Sequence, residues 1–296
     1  MSSSSSRAGF INPVRLNRYL ARCGVASRRA CEVLIEEGAV TVNSEVVTDL
    51  ATMVEPDAQV RVNGIKVKPK PPQAVVLHKP RGLTCSQSDE QDKSTIYECL
   101  PPNLRHLQHV GRLDRDSEGL LVLTNDGELA QELAHPSMKV EKEYLVTLHE
   151  AVPNEVLDRL LSGVRITEGQ VRFDAIGRVS ARRVRVVLKQ GYKRQVRRMF
   201  ATLGLQVRKL MRIRVGSLWL DEELESGRWC FLEPADLSLL TQNPKKVDRS
   251  LFHKPSPGKG GAAAASKRAA IGRRKKSARL ASEAAAKKKP SKRRRR

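Results

Sequence analysis

Apolar positions recur at helical spacing near the start of the chain and at strand spacing further on. Leu16, Tyr19, Leu20 and Cys23 stand at i, i+3, i+4 and i+7, one face of a short helix closed by Gly24. Ser27 suits the N-cap of a second helix carried by Ala30, Val33, Leu34 and Glu37 and stopped at Gly38. Val40 and Val42 alternate like a strand. Val60-Arg61-Val62 and Ile65-Lys66-Val67 flank Asn63-Gly64, a hairpin signal, because a type I′ turn needs positive φ at both central residues. These elements predict a small module over residues 14–72, ending in a Pro/Lys linker from Lys68 to Pro72.

A larger region, residues 74–242, mixes both periods. Leu120 to Leu123 is a continuous apolar run suited to a buried strand, Asn125-Asp126-Gly127 a turn, and Glu128 to Ala134 the start of a helix. Glu141 to Leu148 alternates, with Tyr144 in phase with Val146 and Leu148. After a strand from Arg183 to Leu188, Val196, Met199, Phe200 and Leu203 line one helix face, Arg194, Arg197 and Arg198 the opposite one, and Gly204 closes it. The expected class is α/β of the α+β type.

Charge divides the chain differently. Of 55 Lys and Arg, 20 lie from Lys245 onward, against 2 acidic residues there; the whole chain carries +23. The segment beyond Asn243 is nearly all Lys, Arg, Ala, Ser, Gly and Pro, so it is expected to be disordered and to tether a polyanion. Residues 1–13 read as a disordered leader. No apolar run exceeds four residues, which excludes a membrane-spanning helix and a signal-peptide core. Five scattered cysteines and six histidines without metal spacing argue against disulfides, zinc or any other metal, and point to a reducing cytoplasm. There is no P-loop, so nucleotide-driven chemistry is not expected. A polyanion is the expected partner.

Candidate chemistry follows. Arg15, Arg18, Arg22, Arg28 and Arg29 lie in or between the first two helices with no acid among them, a guanidinium-rich surface suited to phosphate or simply to water. Asp114 lies on a loop leading into the Leu120–Leu123 strand, crowded by Arg112, Arg115, Asp116 and Glu118. A carboxylate beside arginine stays ionised, as a nucleophile or base requires, although such loops also occur as surface ion pairs. Pairing Asp114 with Asp116 as a glycosidase couple fails, since residues i and i+2 point apart in extended chain. Tyr144 is either plain core or a platform for a base.

The stretch Arg15 to Val47 is similar to the small RNA-binding domain named after ribosomal protein S4, through its Arg15-Leu16-Asn17 opening, its Ser27-Arg28-Arg29 turn and its Gly38-x-Val40-x-Val42-Asn43 strand. With Gly111-Arg112-Leu113-Asp114, Gly119 to Gly127, Lys142-Glu143-Tyr144 and Arg194-Gln195-Val196-Arg197-Arg198-Met199, residues 14–240 resemble the ribosomal RNA pseudouridine synthases of the RsuA/RluB/RluE/RluF branch.

That resemblance implies a mainly antiparallel mixed-sheet catalytic domain and isomerisation of uridine to pseudouridine in a structured stem-loop of ribosomal RNA, large-subunit RNA foremost, without cofactor; a monomer is expected because no extra interface element is visible in the sequence. It implies Asp114 as the catalytic carboxylate, Tyr144 stacked on uracil as a candidate base, and Arg197 paired with Asp114. Arg112 would fill the gap that the everted uridine leaves, with Arg15, Arg18, Arg28, Arg29 and Arg194 on RNA. The same reaction on transfer RNA, or a non-catalytic ribosome-assembly factor, are the alternatives.

Overall fold

The computed structural model describes residues 12–86 and 94–244. Most of the leader and the cationic tail, with the expectations of disorder and tethering attached to them, lie outside the described residues.

A two-residue strand, β1 (Val14–Arg15), runs into α1 (Leu16–Cys23), which buries Leu16, Tyr19, Leu20 and Cys23 and ends where Gly24, left-handed, donates to the Ala21 carbonyl. The Ser27 hydroxyl accepts from the Ala30 N–H and starts α2 (Arg28–Glu36). Its buried face differs from the expected one by a position. Cys31 and Ile35 are buried and Leu34 packs beside them, while Ala30 is exposed and Val33 half exposed. The cap sets this phase: Cys31 N–H bonds the Ser27 carbonyl and the Cys31 thiol reaches back to the Ala26 carbonyl, turning Cys31 inward.

The module is completed by β2 (Val40–Val42), β3 (Glu45–Val46), β4 (Met53–Val54), β5 (Val60–Val62) and β6 (Ile65–Lys66). Four of them form an antiparallel sheet in the order β3-β2-β5-β6, and β4 pairs with β1. Asn63 and Gly64 both have positive φ, +48° and +78°, as the hairpin requires.

From Ala74 a nine-stranded sheet takes over. In chain order its region holds β7 (Ala74–Lys79), β8 (Gln108–His109), β9 (Glu118–Thr124), α3 (Gly127–Ala134), β10 (Lys142–Leu148), α4 (Asn154–Ser162), a separate hairpin of β11 (Val164–Ile166) and β12 (Gly169–Val171), β13 (Ala175–Ser180), β14 (Arg183–Leu188), α5 (Gln195–Ala201), β15 (Val207–Val215), β16 (Leu218–Trp219), β17 (Trp229–Phe231) and α6 (Pro234–Thr241). The sheet order is β13-β14-β10-β15-β9-β7-β17, with β16 on β15 and β8 on β9. All described pairs are antiparallel except β15 with β9. The architecture is the mainly antiparallel mixed sheet expected.

At the parallel junction the two backbones come unusually close. A Cβ on Gly119 (φ +106°) would sit 2.7 Å from the Arg212 backbone nitrogen and closer still to its carbonyl oxygen. Only glycine fits there.

β7 and β9 are buried along their whole length, in keeping with the continuous apolar run Leu120–Leu123. β10 separates two unlike faces. Val146 and Leu148 enter a core with α4 and α5, and Tyr144 packs at its edge. On the other face Glu143, fully buried, pairs with Arg214 at 2.8 Å and Arg185 at 2.6 Å, and both guanidinium groups lie over the Trp219 ring. A one-residue slip of β10 would force Glu143 into apolar packing, so this cluster fixes where Tyr144 emerges.

Candidate active site

A pocket of about 470 Å³ opens between the loop before β9 and the segment before α5, with Arg112, Asp114, Tyr144, Tyr192, Lys193 and Arg194 among its walls. The loop is a turn in which Ser117 N–H bonds the Asp114 carbonyl at 2.9 Å. Beneath it lies Lys79, fully buried at the end of β7, whose ammonium donates to the carbonyls of Ser117 (2.9 Å), Pro80 (3.0 Å) and Asp114 (3.3 Å). Burial holds the Lys79 pKa below its ordinary value, against the opposing pull of Cys85 and of Asp114 and Asp116. Arg115 locks the outer side, its Nε donating to the Gly82 carbonyl while Gly82 N–H bonds the Arg115 carbonyl.

The turn sends its two acids apart. Asp114 faces the pocket, half buried, and among the described residues its carboxylate has neither an ion pair nor a hydrogen bond. Asp116 points toward α5, where Arg194 grips it through both η nitrogens at 2.9 and 3.1 Å and Arg197 Nε lies 3.2 Å away. The pairing of Arg197 with Asp114 expected from the resemblance is therefore corrected. Arg197 meets the Asp116 side chain, donates to the Asp116 carbonyl at 2.9 Å, and stands outside the pocket wall. Burial acts to raise the Asp116 pKa, but the Arg194 hydrogen bond and both guanidinium charges outweigh it, so the net shift is downward. Arg197 still feels the Asp114 charge, more weakly than that of Asp116.

Tyr144 reaches the pocket from β10, its ring between two cores. Arg112 is exposed at the rim. Arg194 contributes to the wall, yet the guanidinium expected on RNA is occupied by Asp116. It holds left-handed backbone at φ +53° at the start of α5, a conformation costly for arginine that the bidentate pair helps to sustain. The module's arginines do not reach this pocket. Arg15, Arg28 and Arg29 are exposed, and Arg18 meets Glu128 of α3 at 3.1 Å. Among the described residues no cluster of three His, Cys, Asp or Glu side chains has the arrangement of a metal site.

The pocket brings together a carboxylate without a partner among the described residues, aromatic rings and several basic side chains. The family described as RNA pseudouridylate synthase matches residues 73–202, and the S4 domain matches residues 14–60. Ribosomal large subunit pseudouridine synthase B of Bacillus subtilis (strain 168) is 38% identical over 206 residues, covering 67% of this chain and 84% of that protein. The protein of the same name from Vibrio cholerae is 35% identical over 239 residues, covering 77% of this chain and 74% of its own.

The chain belongs to the RNA pseudouridine synthases.

A solved pseudouridylate synthase superposes with a TM-score of 0.58 at 28% identity, covering 77% of this chain and 99% of that one. As a pseudouridine synthase the chain is an isomerase, and its S4 domain and catalytic family both make RNA its substrate. Sequence reasoning passed over Lys79. Its signal was a lone lysine closing the buried run Ala74 to His78, a place where a charge needs a structural reason.

Proposed function

We propose that this enzyme converts specific uridines of structured ribosomal RNA, in the large subunit, to pseudouridine, with the target nucleotide everted into the Asp114 pocket. The observation that carries this reading is the Asp114 carboxylate, unpaired among the described residues in a pocket that it shares with Arg112, Tyr144, Tyr192, Lys193 and Arg194. The names of the Bacillus and Vibrio relatives support the large subunit as target.

Asp114 acts at the anomeric carbon of the everted nucleoside while the bond from that carbon to the base nitrogen breaks. The uracil turns against the Tyr144 ring, and its C5 carbon bonds the anomeric carbon. The proton on C5 then leaves, with the Tyr144 oxygen as candidate acceptor, and the freed nitrogen gains one. Atoms and electrons balance within the substrate, so the reaction consumes no co-reactant. Eversion costs a few kcal/mol of lost stacking. Arg112, exposed at the rim, would fill the gap, and exposed Arg15, Arg28 and Arg29 would hold a stem-loop.

Pseudouridine mapping in ribosomal RNA from a strain lacking the protein, beside its parent, tests the reading. At least one large-subunit position should revert to uridine. Reversion confined to transfer RNA, or none anywhere, would overturn it.

A further inference from the structure

Behind Tyr144 lies a second chamber of about 200 Å³, which shares Gly111, Arg112, Tyr144, Gln190 and Gly191 with the Asp114 pocket. Its walls carry Lys142, Arg212, Arg112, Lys189 and His135 and no carboxylate. Arg212, only 4% exposed, uses its Nε on the Leu120 carbonyl and has no ion pair among the described residues; neither have Lys142 and Arg112. A buried guanidinium and a neighbouring ammonium without an acid repel one another at close range, an arrangement that an anion relieves.

We propose that this chamber holds a backbone phosphodiester of the substrate RNA, one flanking the uridine in the Asp114 pocket, with Lys142 and Arg212 as its principal partners. The proposal rests on the functional reading above and adds where the chain next to the target runs. Shared walls make the two chambers neighbours, as consecutive groups on one RNA strand require. Arg212 is the cross-strand partner of Tyr144, so phosphate and base would be positioned by one pair of strands.

The state of Lys142 agrees. Burial, then Arg212, bring its pKa down to about 8. The other charged or titratable groups facing the chamber are Arg112 from the loop before β9, His135 after α3, Tyr144 on β10, and Lys189 after β14, the last tied to Glu141 at 3.7 Å and Asp174 at 3.9 Å. Glu143, next along β10, is taken by Arg185 and Arg214 on the opposite face. A bound phosphodiester favours the protonated amine, so RNA binding takes up a proton near and above pH 8.

The test uses the full-length protein, Lys142→Met, and short target RNAs in which one flanking phosphodiester at a time is an uncharged methylphosphonate. At one position, the methylphosphonate should weaken wild-type binding on the order of tenfold and Lys142→Met by markedly less, the remainder being the contact that Arg212 keeps. Lys142→Met should lower the salt slope by about one, and lack the loss of affinity that the wild type shows between pH 7.5 and 9. The wild-type arm stands even if the variant folds poorly. Independent losses at every flanking position would overturn the proposal, as would competition by inorganic phosphate alone with indifference to every methylphosphonate. Pseudouridine formation on native RNA is scored in the same samples. Its absence would sink the functional reading, whereas its presence without coupling sinks only the phosphate site.

Discussion

Arg197 reaches Asp116 twice, by an ion pair at 3.2 Å to the carboxylate and a hydrogen bond at 2.9 Å to the backbone carbonyl, while a third contact joins it to the Val207 carbonyl at 3.0 Å. One guanidinium thus fastens the Asp114–Ser117 turn to β15. On the proposed function it would position Asp114 through its neighbour while leaving that carboxylate free.

Asp116→Asn and Arg197→Met should each lower kcat by roughly tenfold with little change in KM, and the double variant should lose less than the product of the two, since both remove the Arg197–Asp116 ion pair while each also loses contacts of its own. The folded Asp116 pKa lies below its ordinary value, so the stabilisation it brings is complete above the ordinary carboxylate range and is lost as pH falls through the depressed value. Thermal melts from pH 6 to 3 should show a loss for the wild type that Asp116→Asn lacks.

Asp114→Asn keeps the shape of the side chain and removes its charge. Turnover should fall by on the order of a thousandfold or more, with RNA affinity within about threefold of the wild type. Single-turnover assays beside filter binding measure both, and a variant that still converts uridine would remove Asp114 from the chemistry.

Lys79→Met should destabilise the fold by about 2 kcal/mol or more, because it leaves three carbonyls under the loop short of a donor. Activity should fall even at temperatures where the variant is fully folded. Denaturant unfolding with paired rate measurements separates the two effects.

Gly119→Ala should cost about 3 kcal/mol or more, since it combines a disfavoured φ with a collision against the Arg212 backbone. The parallel pairing at Met211–Glu118 and Arg212–Gly119 should open first, visible as faster amide exchange at these positions.

Much of this was legible in the residues themselves. The Leu16–Cys23 periodicity, the Ser27 cap, the Asn63-Gly64 turn and the apolar run at Leu120 are local signals, and local physics decided them. The phase of α2 was missed because a short helix tolerates two adjacent stripes until its cap is fixed. The partner of Arg197 was missed because Asp114 and Asp116 differ in sequence by two positions but in space by the direction of a turn. Lys142 and Arg212, about seventy residues apart, meet only through the pairing of β10 with β15, which no periodicity encodes.

Lys79 meets three backbone carbonyls and no ion-pair partner among the described residues, while the charges of Asp114 and Asp116 act on it from a distance. Its field extends through the thickness of one turn to the side chain on the far surface. In the proposed reaction Asp114 works on the far side of the turn that this lysine underpins, so the strand ending in Lys79 would support the carboxylate from within.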